Sequence, residues 1–176
     1  MNIWKDINPE RIKDDDFIAV IEIPKGCKKK YELDKETGRI ILDRILYTSM
    51  QFPANYGFIP LTYAEDNDPL DVYVLCSESL NSLDLVRCYP IGVIVMEDCG
   101  KLDQKIIAVP FNDPVYNNYS NISDLPNHIF EEIKHFLSFY KVLENKQTAV
   151  KELEGREEAI KIIKDCKERY KKYFTK

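Results

Sequence analysis

Apolar positions fall in short runs along the first two thirds of the chain and in helical stripes along the last third. Phe17–Ile23 is almost wholly apolar and predicts a strand, closed by the turn residues Pro24-Lys25-Gly26. Glu22 interrupts that run, and a carboxylate there must be paired, metal-linked or on an open face. Residues 34–38 read as a hairpin turn and 39–46 as the returning strand. Residues 52–60, aromatic and turn-rich, read as an irregular loop packed on the core. The apolar run 70–76 predicts a buried strand. Residues 83–88 and 91–96 predict two strands around Tyr89-Pro90, and 106–109 a further strand returning from a turn at Gly100. A turn-rich loop covers 111–124. Leu125-Pro126 opens a helix with Ile129, Ile133, Phe136, Leu137 and Tyr140 on its buried face, ending near Glu144. After a short extended piece, a final helix from about Glu154 carries the stripe Ala159, Ile162, Ile163, Cys166 and Tyr170. Consecutive hairpins favour antiparallel pairing, so the pattern predicts an α+β, mainly β chain built on a closed or nearly closed small barrel. There is no internal repeat, linker or composition break, and a single domain over 1–176 is expected.

Composition narrows the function. At 176 residues, 44% hydrophobic and 31% charged, the chain is that of a globular protein with a real core. A formal net charge of −5 argues against nonspecific nucleic-acid binding, which needs a basic face. It leaves room for a small anionic substrate if cations mediate the contact. The N-terminus has no apolar signal region, and no run approaches the roughly 18 apolar residues of a membrane span. A cytoplasmic protein with no membrane partner is expected. The five cysteines form no CxxC pair and read as reduced, mostly structural thiols.

The chemistry concentrates in acidic clusters. Asp66, Asp68 and Asp71 crowd into six residues around the rigid Pro69 and lead straight into a buried strand. Carboxylates this close repel one another, and hard divalent cations, which prefer oxygen ligands, remove that cost. The pattern therefore suggests a Mg²⁺-type site at the start of a strand. A second cluster, Asp98 and Asp103, flanks the turn at Gly100, with Lys105 two residues on. By itself it is explained by a polar turn. Lys30 and Glu32 share a face if extended. Arg44 suits bidentate phosphate contact or a salt bridge to Asp43, and Tyr56 suits an anion contact or core filling. Asp14 to Asp16 read as a solvated run, and His128 and His135 as ordinary helix residues too far apart to share a metal. There is no P-loop, no GxSxG elbow and no EF-hand, since Leu70 and Ser77 stand at ligand positions of that loop. Clustered carboxylates with scattered Arg, Lys and Tyr suit metal-assisted hydrolysis of a phosphoanhydride.

Several segments, taken in order, resemble the soluble family I inorganic pyrophosphatases. They are Val20-Ile21-Glu22-Ile23-Pro24, Lys30-Tyr31-Glu32, Asp43-Arg44, Pro53-Ala54-Asn55-Tyr56-Gly57 and Asp66-Asn67-Asp68-Pro69-Leu70-Asp71-Val72. Met96-Glu97-Asp98, Asp103-Gln104-Lys105 and Tyr140-Lys141 complete the set. The resemblance implies a five-stranded, OB-like closed barrel with two main flanking helices. It implies hydrolysis of diphosphate to two phosphates with Mg²⁺, or with Mn²⁺ or another divalent ion. By motif match, Asp66, Asp71, Asp98 and Asp103 ligate metal, and Glu22 and Glu32 bind further metal, partly through water. Asp68 accepts the proton of the nucleophilic water, and Lys30, Arg44, Tyr56, Lys105, Tyr140 and Lys141 hold phosphate oxygens. Prokaryotic members are commonly homohexamers. Two positions depart from the pattern: Phe52 stands where many members carry tyrosine, and Leu153 where a packing tryptophan is usual. Other readings of the same residues are a phosphohydrolase acting on nucleotides or polyphosphate, and a non-catalytic OB-like binding module.

Overall fold

The computed structural model describes residues 1–175. Eight strands run in chain order: β1 (Phe17–Ile23), β2 (Lys29–Asp34), β3 (Arg39–Ile45), β4 (Asn55–Ile59), β5 (Leu70–Val74), β6 (Leu85–Asp98), β7 (Lys101–Pro110) and β8 (Thr148–Gly155). Among the described residues there are also two α-helices, α1 (Asn127–Phe139) and α2 (Arg156–Phe174). Strands β1, β4, β5, β7 and β6 pair in that order, and β1 pairs back onto β6, so five strands close into a ring. β8 adds to the free part of β6, while β2 and β3 form a separate two-stranded sheet.

Three expectations change. Residues 55–59 are a strand of the ring, although 52–60 reads as a loop. A Cβ on Gly57 would lie 1.8 Å from the Val20 carbonyl oxygen, so the glycine marks a close approach of β4 to β1. Tyr89-Pro90 does not separate two strands. β6 runs continuously from Leu85 to Asp98, and its register against β7 slips between Pro90 and Gly92, which accommodates the missing N–H. Pairing is also not uniformly antiparallel, because β5 lies parallel to β7.

The alternation of β5 and β7 sorts the core. Leu70, Val72 and Val74 join Ile106 and Ala108 in one apolar cluster, closed by Ala159, Ile162, Ile163 and Cys166 of α2. Tyr73, Ile107 and Val109 face a second cluster, covered by Ile133, Phe136 and Leu137 of α1. Both helical stripes therefore pack as their spacing predicts. Near the N-terminus the lone tryptophan, Trp4, is buried against Tyr170 and Phe174 and donates its indole N–H to the Thr62 carbonyl at 2.9 Å. Thr62 is itself buried, and its hydroxyl bridges the Ile59 carbonyl and the Leu70 N–H at 2.6 and 2.9 Å. These bonds brace the connection that carries Asp66 and Asp68.

Candidate active site

The parallel pairing of β5 and β7 sets Asp71 directly opposite Lys105. Asp103 lies two residues before Lys105 and so on the same face. The Lys105 ammonium is buried, 2.9 Å from Asp71 Oδ2 and 3.1 Å from Asp103 Oδ2. It also donates to the Tyr56 hydroxyl at 2.8 Å, which leaves the phenol proton free to donate elsewhere. Burial alone would discharge Lys105, but Asp103 and Asp71 outweigh it and hold its pKa well above the ordinary value. Burial, reinforced by Asp71 and Asp98, keeps the Asp103 carboxyl above its ordinary range despite Lys105. Burial likewise raises Tyr56, so it stays a phenol.

The turn before β5 positions the other two aspartates. Asn67 takes a left-handed φ of 68°, which asparagine tolerates, and Asp66 Oδ1 accepts the Asp68 N–H at 3.0 Å. Burial, with Asp71, Asp68 and Asp103 nearby, pushes the Asp66 carboxyl to about 6. Glu22 sits where the pairing of β1 with β4 slips, between Ile21 and Ile23, and such irregularities re-aim side chains. It is 6% exposed, accepts the Leu33 N–H at 2.8 Å, and is pushed to about 8 by burial and by Asp71.

Two further walls complete a cleft of about 430 Å³. On the β2–β3 hairpin, Lys30 lies 3.3 Å from Glu32 and 3.2 Å from Asp43. At the end of α1, Tyr140 stacks on Phe136 with ring centroids 4.8 Å apart, and the Lys141 ammonium lies 2.5 Å from Asp98 Oδ2. Of the residues singled out in the sequence, Glu22, Lys30, Glu32, Tyr56, Asp66, Asp68, Asp71, Asp98, Asp103, Lys105, Tyr140 and Lys141 all line this cleft. Arg44 does not line it. It stands behind Lys30, held by Asp43 and Glu144. Phe52 lies beneath the wall, its ring 5.5 Å from Tyr56 and 4.8 Å from Phe136, where it packs the aromatic base of the site. Leu153 is on β8, opposite Ile94 of β6. Sequence reasoning missed Lys35, which reaches back from the hairpin turn to pair with Asp68 and donates to the Asn67 carbonyl at 3.0 Å. A lysine in a polar turn gives no local sign of such a reach.

Seven carboxyl groups and four lysines line the cleft, an excess of negative charge that all-oxygen donors present to a hard cation. Asp98 Oδ1 is buried with no hydrogen-bond donor, as befits an oxygen whose partner is an ion. As they stand, no three such side chains among the described residues converge on one point, because Lys105 and Lys141 lie between them. The donor set fits a divalent metal.

The comparisons agree with this geometry. The family model for inorganic pyrophosphatase matches residues 19–171. Soluble inorganic pyrophosphatase 2 of Chlamydomonas reinhardtii is 46% identical over 172 residues, covering 98% of this chain and 90% of that protein. Inorganic pyrophosphatase of Aquifex pyrophilus is also 46% identical over 172 residues, covering 96% of this chain and 97% of that protein. The structure of the Helicobacter pylori inorganic pyrophosphatase superposes with a TM-score of 0.88 at 41% identity, over 91% of this chain and 96% of that one. A ring of five strands, an acid-lined cleft at the seam of β5 and β7, and these matches over nearly the whole length lead to one conclusion: the chain belongs to the inorganic pyrophosphatase family.

Proposed function

We propose that the cleft hydrolyses inorganic diphosphate to two phosphates with Mg²⁺ as the preferred divalent cation, within a single domain over 1–176. The observation that carries this reading is the Asp71–Lys105–Asp103 seam, where two carboxylates suited to cations flank a buried ammonium suited to phosphate oxygens. Asp66, Asp71, Asp98 and Asp103 would hold the cations, with Glu22 and Glu32 adding outer ligands. Bound there, divalent ions neutralise the anionic substrate and lower the pKa of the attacking water. Asp68 takes that water's proton. Its carboxylate is half-exposed at the cleft and is paired with Lys35. Lys30, Lys105 and Lys141 hold phosphate oxygens electrostatically, and Tyr56 and Tyr140 donate from their phenols. Arg44, held behind Lys30, supports that lysine through their shared partner Asp43. The reading further places the protein in the cytoplasm as a homohexamer. No described helix is long and apolar enough to cross a membrane. Exposed Phe139, Val142 and Leu143, close together beyond the cleft wall, supply apolar surface for a copy of the same chain.

The test is phosphate release from diphosphate, triphosphate and nucleotides with Mg²⁺, Mn²⁺ or Co²⁺, before and after chelation. Turnover of diphosphate that chelation abolishes is expected. Turnover of nucleotides in preference to diphosphate would refute the substrate assignment.

A further inference from the structure

The β2–β3 hairpin shares no strand pairing with the ring, yet it carries Lys30 and Glu32 of the cleft. A two-stranded sheet is marginal by itself, so its position depends on the contacts that dock it. At its tip Lys35 reaches Asn67 and Asp68, and beside the tip Leu33 is buried against Trp4, Val20 and Phe58 while Glu22 accepts its N–H. At its open end Leu46 is buried in the second core cluster and the Phe52 backbone bonds to residues 26 and 27, and an ionic contact ties this end to the end of α1. Arg44 Nη2 donates to Glu144 Oε2 at 3.1 Å, and Arg44 Nε lies 2.6 Å from Glu144 Oε1. The Glu144 side chain is only 5% exposed and that of Arg44 18%. Arg44 Nη1 donates to Asp43 Oδ2 at 2.5 Å, and the same oxygen lies 3.2 Å from the Lys30 ammonium. Glu144 follows Lys141 by three residues in a short 3₁₀ turn, closed by Asn145 at a left-handed φ of 57°. Glu144, Arg44, Asp43 and Lys30 thus form one chain of alternating charge from the end of α1 to the opposite cleft wall.

We infer that Glu144 is a positioning residue for diphosphate: through Arg44 and Asp43 it fixes the Lys30 wall at a set distance from the Tyr140–Lys141 wall. This rests on the reading of the cleft as the diphosphate site. Glu144 touches no substrate. Loss of its charge leaves Arg44 half-paired in a buried place and removes the ionic tie between the hairpin and the end of α1, while Leu46 stays packed. The substrate then binds between walls that are no longer held, so the effect falls on binding more than on the chemical step.

The experiment compares wild type, Glu144→Gln, Glu144→Asp, Arg44→Ala and the double variant Arg44→Ala/Glu144→Gln. Steady-state kinetics with diphosphate and Mg²⁺ should give Glu144→Gln a KM raised about tenfold with kcat within about threefold of wild type. Glu144→Asp, which keeps the charge, should recover part of that loss. In the Arg44→Ala background Glu144→Gln should add nothing. Amide hydrogen exchange without substrate should speed up over residues 29–46 in Glu144→Gln and stay unchanged in β5 and β7. A wild-type KM with unchanged hairpin exchange would overturn the inference, as would additive effects in the double variant. If wild type fails to turn over diphosphate, the substrate reading falls, and the exchange data alone decide whether Glu144 clamps the hairpin.

Discussion

Asp68 and Lys105, given separate roles in the proposed reaction, differ in burial. Asp68 is half-exposed and holds up little of the fold, whereas Lys105 is sealed between two carboxylates. Asp68→Asn should therefore lower kcat by about 10²- to 10⁴-fold, the usual worth of a general base, while the thermal midpoint stays near wild type. Kinetics paired with a thermal scan check both halves. Glu22 and Asp66 make a pH prediction. Glu22 moves from an ordinary 4.5 to about 8, and Asp66 from 3.8 to about 6. Over those windows the folded chain keeps protons that the unfolded chain has released. The stability they contribute is full below the ordinary values and is lost as pH rises through the raised ones. Carboxyls pulled the other way include Asp113. Burial works to raise it, but it accepts the Ser77 and Val115 N–H groups and ends below its usual value. Its contribution is complete before the Glu22 window opens and so does not mask it. With a chelator present, the melting temperature should fall as pH goes from about 5 to about 8, and divalent cations should flatten that slope by displacing the protons. A chelated protein whose melting temperature rises across that range would contradict the assignment. At this scale the sequence was legible wherever the residue type dictates the chemistry. The crowded aspartates of 66–71 do line one cleft, and Lys30 and Glu32 do share a face. Lys35 and Glu144 were hidden, because their partners are far along the chain and a lone charge in a turn looks solvated. Asp14 and Asp16 misled in the same way, since both are paired, with Lys167 and Arg87.

Elements were legible where a period of two or 3.6 is uninterrupted. The buried run of β1 and the stripe of α2, with Ala159, Ile162, Ile163, Cys166 and Tyr170 all buried, follow directly from spacing. β4 was hidden by Gly57, whose value is the absence of a side chain. Gly57→Ala should push β4 off the Val20 carbonyl at a cost of about 3 kcal/mol, the upper end of what overpacking usually costs, with urea denaturation as the measure. A loss under about 1 kcal/mol would mean that β1 and β4 separate easily. β6 was hidden by Pro90, which a sequence reader takes as a strand end but which the ring absorbs as a slip in register. Strand pairing across a distance carries no local signature, so the parallel seam of β5 and β7 could not be read from hydropathy. That seam is what turns two separate acidic clusters into one site.

The whole molecule is a ring closed between β1 and β6, with its cleft wall assembled from β1, the hairpin, β4, β5 and the turn before it, β6, β7 and the end of α1. Such a site exists only when most of the chain is in place. Its outward apolar residues include Phe139 at 52%, Val142 at 54% and Leu143 at 65% exposed, surface that the proposed assembly would cover. Light scattering after gel filtration should find a homo-oligomer, six copies on the proposed reading, and a clean monomer would refute it. The joint at Trp4 has a practical consequence. The indole is the only one in the chain, 2% exposed, wedged between α2 and the carbonyl of Thr62. Its fluorescence thus gauges one event: emission stays blue-shifted while the two ends of the chain remain fastened behind the acidic turn, and moves to the red when they let go.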